Sequence, residues 1–383
     1  MSETAEAWFL TPETSPGSRA VLRREQFEFA GIAQDEVLAM PLYGCWEGNM
    51  GHALQRLPID LCHARNEARV ILGNAGVLRV LEAGKDVHHL EPGQDAVLFS
   101  TADADRFGYP QKMFGYDAPG TMGCLATKIK LKGRELIPIP AGSRHSLAQW
   151  AAFSVRYITA WSNWRVAFGT FRLLVGEQEL PAPNVWGWGG GTTLAELDLA
   201  RRHGCRTVML SSSPKRLSTV AQCGVTALDR SPFAALAFDD KRYATDASFR
   251  RSYNQAEAAF LAEVKRQTSD EMVQVFVDYI GSAVHRATLK ALSRQGVITT
   301  AGWKTGMTVS FLRAIECIER HQHIHTHYAR YAEGVDAVAY GEREGWMPPI
   351  DERVYGFDEI PEMAERFLAN ELGMFPVYSI NPD

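Results

Sequence analysis

The sequence predicts an α/β protein with two domains, a small β-rich domain followed by a domain built on a parallel sheet. At 383 residues the chain is long enough for two hydrophobic cores. Short apolar runs separated by glycine and proline turns occupy residues 8–140, a pattern typical of β structure. Residues 184–210 then read as a short buried strand, a glycine turn, a helix and a second strand, which is the repeating unit of parallel sheets.

Composition and charge limit the classes of protein to which this chain can belong. Hydrophobic residues make up 46% and charged residues 22%, as in an ordinary globular protein. A net charge of -5 argues against nucleic-acid and anionic-membrane partners. The acidic start lacks the apolar run of a secretory signal, and no apolar stretch is long enough to span a bilayer. The six cysteines form no CxxC pair, which is typical of reduced thiols, so the sequence predicts a cytoplasmic protein.

The first domain is predicted from short strands joined by turns. Residues 8–43 contain two or three strands, of which 37–40 is buried. A loop dense in polar and reactive side chains follows at 43–52, and a long strand interrupted by glycines follows at 70–80. Turn–strand junctions then lead to a last strand at 136–140. These short strands fit a small β-barrel.

The glycine turn of the second domain has the features of a dinucleotide-binding site. Its spacing is Gly187-x-x-Gly190-Gly191-x-Thr193, with Thr192 in the same turn and Thr193 at the position of a third glycine. Glycines let the backbone approach a pyrophosphate, and the free N–H groups and positive dipole end of the following helix bind its charge. An ordinary glycine-rich loop is the alternative, but the strand–turn–helix–strand context favours the dinucleotide site.

The residues after the second strand of this unit indicate which nicotinamide cofactor is bound. An NAD site usually has an Asp or Glu there, to accept from the ribose 2′-hydroxyl. Here residues 211–216 read Ser-Ser-Ser-Pro-Lys-Arg. The hydroxyls of Ser212 and Ser213 and the cations of Lys215 and Arg216 suit a 2′-phosphate. A Ser-Pro pair also starts helices, which is the alternative interpretation, but the sequence favours NADPH over NADH.

Taken together, these segments resemble the medium-chain dehydrogenase/reductase superfamily, from about residue 35 to residue 380. Glycines flanking a strand, the Pro-Gly-x-Asp-x-Val turn at 92–97 and Thr159-Ala160-Trp161 match motifs of that superfamily. The resemblance implies a GroES-like β-barrel substrate domain at 1–150, a Rossmann cofactor domain at 151–325, and a C-terminal return to the barrel domain at 326–383.

The resemblance also implies further residues around the cofactor. Thr159 matches a threonine that lies near the nicotinamide in the superfamily. Tyr279 follows one predicted Rossmann strand, and Gly302 and Trp303 end another at the cofactor edge. We therefore expect these four residues to contribute to the NADPH site.

Zinc alcohol dehydrogenases of this superfamily use ligands that this chain keeps only in part. Cys45 matches the cysteine of their Gly-x-Cys loop, but their histidine–glutamate pair is replaced by Asn74-Ala75. Asparagine is a poor zinc ligand and alanine is none. The four-cysteine structural lobe is also missing, since Cys124 stands alone in that region. Histidines alternate at 321–327, but a polar strand face is favoured there over a metal site, so the sequence predicts no metal.

Within the superfamily, several segments resemble crotonyl-CoA carboxylase/reductases. Residues 327–333 resemble their His-Phe-Ala-Asn-Tyr-x-Glu segment, and an Asp-Arg pair is followed by an insertion at about 233–268, as in those enzymes. Tyr116 and Asp117 match a Phe-Glu pair that shapes the carboxylating pocket. The resemblance implies that His327 lines the site where the hydride acceptor and carbon dioxide meet.

The loop after residue 44 departs from those enzymes. They carry an Asn-Tyr-Asn run, whereas this chain has Cys45-Trp46-Glu47, followed by Asn49. These four residues are candidates for contact with the substrate, and the departure argues against carboxylation. The alternative is a barrel turn with a buried cysteine.

The function expected from these features is NADPH-dependent reduction of the C=C bond of an α,β-unsaturated acyl thioester. The carrier would be coenzyme A or an acyl carrier protein. Reduction of a quinone or small enone, reductive carboxylation, and a non-redox nucleotide-binding role are alternatives. The last is motivated by Trp188 and Thr193 in the glycine turn and by Trp303 at the cofactor edge, since the bulk of the aromatic side chains could narrow the nicotinamide pocket. The resemblance also implies a homodimer or a dimer of dimers.

Overall fold

The computed structural model describes residues 2–12, 15, 17–302 and 308–381, and the chain divides into two compact units. The first unit contains Met1–Ile158 and Ala329–Asp383, and the second contains Thr159–Tyr328. The first unit begins with β1 (Ser2–Leu10), β2 (Leu22–Ala30), β3 (Glu36–Cys45), α1 (Gly48–Leu54), α2 (Leu61–Arg65), β4 (Val70–Ile71), β5 (Gly76–Ala83), β6 (Asp95–Leu98), β7 (Thr101–Ala104), β8 (Pro110–Met113), β9 (Ile129–Lys132) and β10 (Leu136–Pro138).

The boundary between the units falls within a long helix, α3 (Leu147–Leu174). The second unit then contains β11 (Asn184–Trp188), α4 (Gly191–Arg202), β12 (Arg206–Ser211), α5 (Pro214–Gln222), β13 (Thr226–Asp229), α6 (Asp240–Thr245), α7 (Ala247–Thr268), β14 (Val273–Asp278), α8 (Ser282–Ala291), β15 (Leu292–Thr299), a π-helical segment at Arg313–Glu319, and β16 (His323–His325). The charged, aromatic insertion that the sequence marks at 233–268 therefore consists largely of two helices.

The described strands of the second unit form one parallel sheet in the order β13-β12-β11-β14-β15-β16. The order reverses at β11, so the glycine turn lies at the switch point, where α/β sheets bind ligands. Gly187 is required by close packing, because a Cβ there would lie 2.7 Å from Thr193 Cγ2 and 3.0 Å from the carbonyl oxygen of Val277. This topology confirms the predicted parallel-sheet domain.

After the second unit, the chain returns to the first. This return contains α9 (Tyr331–Glu344), β17 (Val354–Tyr355), α10 (Ile360–Leu368) and β18 (Val377–Ser379). The main mixed sheet has the order β10-β6-β5-β3-β18-β17, and β9 also pairs with β3. β3 is therefore central, and its last residue, Cys45, pairs with Val377. The strand predicted at 70–80 is instead two strands, since residues 72–75 leave the ladder between β4 and β5.

Two expectations about local structure are wrong. Trp188 does not narrow a nucleotide pocket, because it is buried against Phe260 and Phe276 and its Nε1 donates to Thr288 Oγ1 at 3.1 Å. The alternating histidines at 321–327 do not share one strand face. Only 323–325 are in β16, and His321 has a left-handed φ of 52°.

Candidate functional site

The turn after β11 leaves backbone groups open at the start of α4. Gly190 is the N-cap of α4, so no side chain caps the first turn. A Cβ at Gly190 would meet no atom of the described residues within 4 Å, whereas one at Gly189 would lie 2.1 Å from Thr193 Oγ1. The Thr193 hydroxyl lies 3.5 Å from the carbonyl oxygen of Trp188 and closes the turn from inside. Uncapped N–H groups beside open space fit the pyrophosphate of a dinucleotide.

The Ser211–Arg216 segment starts α5 and also presents polar groups to solvent. Ser213 Oγ accepts from the backbone N–H of Arg216 at 3.5 Å, so Ser213 serves as the N-cap and Pro214 follows it. The alternative interpretation of this motif, a helix start, therefore describes Ser213 correctly. Ser212 and Lys215 are exposed and Arg216 is partly exposed, so hydroxyl and cationic groups border the turn. These residues fit a 2′-phosphate.

Arg230 is a further cation beside this segment that the sequence did not mark as a cofactor residue. It follows β13, and its backbone N–H donates to the carbonyl oxygen of Ser211 at 3.0 Å. Burial lowers the pKa of its guanidinium, and no carboxylate of the described residues opposes this shift. A partly buried cation without a compensating anion favours an anionic ligand here.

Thr159 and His327 are brought together by polar contacts on α3. The backbone N–H of His327 donates to Asn163 Oδ1 at 3.0 Å, and the His327 carbonyl oxygen lies 3.2 Å from Ser162 Oγ. Ser162 Oγ and Asn163 Nδ2 also lie 3.0 Å and 3.2 Å from the carbonyl oxygen of Thr159. Thr159 was predicted from a cofactor motif and His327 from a substrate motif, and both are thus held by the same two side chains of α3, Ser162 and Asn163.

Tyr279 is held by a buried carboxyl group. Its hydroxyl lies 2.5 Å from Oε2 of Glu196 on α4, and Glu196 Oε1 has no hydrogen-bond partner among the described residues. Burial raises the pKa of Glu196 to about 8, so this carboxyl is largely protonated at neutral pH. Glu196 was missed because a glutamate in a helix usually faces solvent.

The last predicted cofactor residues lie near the end of β15. Thr299, at that end, donates through Oγ1 to Asn163 Oδ1 at 3.1 Å, so β15 joins the same polar network. Gly302 has a left-handed φ of 70°, and no atom of the described residues lies within 4 Å of where its Cβ would be. Trp303 lies outside the described residues.

In the first unit, Arg156 of α3 holds three consecutive residues that begin at the end of β3. Its Nη1 donates to Cys45 Sγ at 3.0 Å and its Nη2 to the carbonyl oxygen of Trp46 at 2.7 Å. Its Nε lies 3.1 Å from Glu47 Oε2, and both side chains are almost fully buried. No local pattern marks Arg156, because Cys45 lies 111 positions away in the chain.

Burial controls the chemistry of these groups. It raises the pKa of the Cys45 thiol well above its usual range, so Cys45 is a neutral thiol. It also raises the pKa of the Glu47 carboxyl, against the opposing effect of Arg156. Several buried polar atoms around these residues have no hydrogen-bond partner in the described part of the chain: Trp46 Nε1, Glu47 Oε1, Asn49 Oδ1, Asn74 Oδ1 and the Tyr378 hydroxyl. Such a concentration of unpaired groups is typical of a binding site.

Tyr116 and Asp117 are held within their own turn. Asp117 Oδ1 accepts from the backbone N–H of Met113 at 2.7 Å, and the Tyr116 carbonyl oxygen accepts from Arg65 at 3.1 Å. Burial raises the pKa of the Tyr116 hydroxyl to about 12. Among the described contacts, neither residue is hydrogen-bonded to Cys45, Trp46 or Glu47.

The residues that replace the zinc ligands do not fit a metal. Cys45 Sγ accepts a hydrogen bond from Arg156, and no group of three or more His, Cys, Asp or Glu side chains in the described ranges could hold an ion.

None of the described helices has the length and apolar character that a membrane crossing requires.

No profile of a known protein family matches the sequence, and no curated protein is similar to it in sequence. Solved structures, however, share its fold. The crotonyl-CoA carboxylase/reductase AntE in complex with NADP gives a TM-score of 0.81 at 21% identity, covering 99% of this chain and 95% of that chain. The 2-octenoyl-CoA carboxylase reductase CinF, in complex with NADP and 2-octenoyl-CoA, gives a TM-score of 0.80 at 18% identity, covering 99% of this chain and 88% of that chain. A thermostable alcohol dehydrogenase from Pyrobaculum aerophilum gives a TM-score of 0.72 at 17% identity, covering 99% of this chain and 100% of that chain.

These structures span two kinds of oxidoreductase with one architecture. The parallel sheet of the second unit fits a Rossmann domain, and the mixed sheet of the first is consistent with a GroES-like domain. The resemblance drawn from the motifs is thereby confirmed at the level of the fold. Over 99% of its length the chain shares the fold of these carboxylase/reductases and of this alcohol dehydrogenase.

Proposed function

We propose that this protein is an NADPH-dependent oxidoreductase that reduces the C=C bond of an α,β-unsaturated acyl thioester. The observation that carries the proposal is the edge of the second unit's sheet, where all the strands end on the same side. That edge combines the uncapped start of α4, the polar segment after β12, and the joined Thr159 and His327. The thioester is proposed because AntE and CinF are named as reductases of crotonyl-CoA and 2-octenoyl-CoA.

The second unit supplies the groups that would hold the cofactor. The N–H groups at Gly190, Gly191 and Thr192 would bind the pyrophosphate, and Lys215 and Arg216 would bind the 2′-phosphate. Bound NADPH supplies a hydride, and the protein contributes orientation and electrostatics. Anchoring of Thr159 and His327 to α3 limits their motion, which favours a fixed geometry for transfer.

The first unit supplies groups for the substrate. Hydride addition at the β-carbon places negative charge on the thioester oxygen, so hydrogen-bond donors aimed at that oxygen lower the barrier. The indole N–H of Trp46 and the hydroxyl of Tyr378 are buried and have no partner among the described residues. We propose these two as donors to the enolate oxygen. Asn49 would accept from a polar part of the substrate.

Reductive carboxylation is the second candidate, because the named activity of AntE and CinF includes it. We favour plain reduction, because Glu47 and Cys45 fill the loop in which the carboxylating enzymes have asparagines. Reduction of a quinone or enone would use the same hydride step. An acyl carrier protein remains part of the proposal as an alternative to coenzyme A.

We also propose a zinc-free, cytoplasmic protein that assembles as a homodimer or a dimer of dimers. The contact of Arg156 with Cys45 supports the absence of zinc. For assembly, β16 lies at the end of the described sheet, and Leu312, Ile315 and Ile318 beside it are 41–62% exposed. Unpaired strand edges and apolar patches favour association between copies. Light scattering would measure the molar mass.

The experiment that tests the function is NADPH oxidation with crotonyl-CoA, with and without bicarbonate, followed by mass analysis of the product. Saturated product in both conditions is the expected result. A product heavier by one carboxyl group would favour reductive carboxylation. Binding of NADPH without turnover would overturn the thioester proposal and direct the assay to quinones and enones.

A further inference from the structure

The two carboxylate oxygens of Glu47 have different environments. Oε2 lies 3.1 Å from Arg156 Nε, while Oε1 is buried and has no hydrogen-bond partner among the described residues. Glu47 is only 7% exposed, so Oε1 is not compensated by bulk water. A buried carboxyl oxygen left unpaired costs free energy unless a ligand contacts it.

Arg156 fixes the direction of this carboxyl group. Its other two nitrogens are bound to Cys45 Sγ and to the Trp46 carbonyl oxygen, and its guanidinium lies 5.4 Å from the ring centre of Phe375. A planar guanidinium with three fixed partners has little rotational freedom. The orientation of Glu47 Oε1 is therefore set by Arg156.

The charges around Glu47 allow it to gain and lose a proton. Cys45 and Tyr378 face it, and burial keeps both of them neutral. Arg156 also interacts with Asp351, so its positive charge keeps a counter-charge when Glu47 is protonated. Burial raises the pKa of Glu47, which favours the protonated form.

We propose that Glu47 protonates the α-carbon of the substrate through Oε1, and that Arg156 is the residue that positions it. This inference rests on the proposed reduction of an enoyl thioester. The β-carbon receives the hydride, the C=C π bond breaks, and its electron pair moves into the enolate. That pair then forms the new C–H bond at the α-carbon with the proton of Glu47, while NADPH is oxidised to NADP⁺. The resulting carboxylate is neutralised by Arg156 until water returns a proton.

A proton donor at position 47 also favours plain reduction of the thioester over reductive carboxylation. In carboxylation the enolate must survive until it attacks carbon dioxide, and a nearby proton donor would compete for the same α-carbon. Glu47 occupies the loop in which the carboxylating enzymes have asparagines, which donate no proton to carbon. The substitution therefore directs the enolate to protonation.

The test measures where and on which face deuterium enters the product. Crotonyl-CoA is reduced with NADPH in D₂O by the parent and by Glu47→Gln, Arg156→Lys and Arg156→Met, and the α-carbon is analysed by NMR. Glu47→Gln should lower kcat by about 10²- to 10⁴-fold, with KM changed far less. It should also lose facial selectivity at the α-carbon, while a parallel reaction with NADPH deuterated at C4 should show unchanged facial selectivity of deuteride delivery at the β-carbon.

Arg156→Lys should retain part of the turnover and selectivity, because it keeps a cation near Glu47, whereas Arg156→Met should resemble Glu47→Gln. The matched controls are Arg56→Lys and Glu135→Gln. Arg56 is also an arginine with a largely buried side chain, bound to one carboxylate and two carbonyls, and Glu135 is a buried glutamate in the first unit. Both controls should keep the selectivity of the parent.

Two results would overturn the inference. Parent-like turnover and selectivity in Glu47→Gln would remove Glu47 as the acid. Loss of selectivity in Arg156→Lys and Arg156→Met with none in Glu47→Gln would show that Arg156 does not act through Glu47. A parent that binds NADPH but reduces no enoyl thioester would instead refute the proposed function, and the inference with it. If Arg156→Met does not fold, Arg156→Lys and Glu47→Gln decide.

Discussion

Replacing Glu196 with glutamine should remove a pH-dependent loss of stability from the second unit. Glu196 is fully buried on α4, and among the described residues only its Oε2 has a partner, the Tyr279 hydroxyl. Burial raises the pKa of its carboxyl to about 8, whereas the same group in an unfolded chain titrates near 4.5. Glutamine keeps an oxygen that accepts from Tyr279 and has no charge at any pH.

The sign of the effect follows from proton binding. Between about pH 4.5 and pH 8 the folded chain holds a proton on Glu196 that the unfolded chain has released, so stability falls as pH rises. At about 1.4 kcal/mol for each pKa unit, the full change is about 5 kcal/mol. This loss of stability is complete at pH values above the pKa of Glu196 in the folded protein. Glutamine leaves an additional buried N–H group unpaired, which costs about 1–3 kcal/mol at every pH.

Urea unfolding followed by circular dichroism, at several values from about pH 5 to about pH 8, tests this reasoning. The free energy of unfolding of Glu196→Gln, relative to the parent, should rise steadily across this range. The exposed Glu177 provides a control, because Glu177→Gln should change the slope little. If the parent and Glu196→Gln keep a constant difference, Glu196 is ionised in the folded protein and the argument from burial is refuted.

Three further predictions concern the candidate site. Arg216→Ala, alone or with Lys215→Ala, should weaken NADPH binding by about tenfold or more through loss of charged hydrogen bonds, and NADH binding little; equal losses in calorimetric titrations would contradict this. His327→Ala should lower turnover with little change in NADPH affinity, since α3 holds the backbone of this residue; unchanged turnover would indicate a structural role. Gly189→Ala should weaken binding of both cofactors by more than about tenfold, because its Cβ would lie 2.1 Å from Thr193 Oγ1. Affinity equal to the parent's would show that the turn can rearrange.

The elements that the sequence predicted well are those specified by neighbouring residues. The strand, glycine turn and helix at 184–202 need only local spacing, because glycine allows the close approach of Thr193 and apolar residues alternate with the helical period. The same holds for the helix start at Ser213, where the cap lies three positions from its donor.

The contacts that define the candidate site were not predictable in this way. Asn163 and His327 are 164 positions apart, and a hydrogen bond between them leaves no local pattern. Glu196 has the spacing of a solvated helix face, yet it is buried, because the sheet covers that side of α4. Trp188 was misjudged for a related reason, since its position beside the glycines gives no information on the side to which its ring points.

The discontinuous first unit has a consequence for synthesis on the ribosome. β18 pairs with the end of β3 that carries Cys45, yet more than three hundred residues separate them in the chain. During translation the whole of Thr159–Tyr328 emerges before β18 does, so the second unit can fold first while this end of β3 still lacks its neighbour. A nascent chain in this state exposes an unpaired strand edge. Premature termination before Val377 should therefore yield chains with a complete second unit that aggregate through the first.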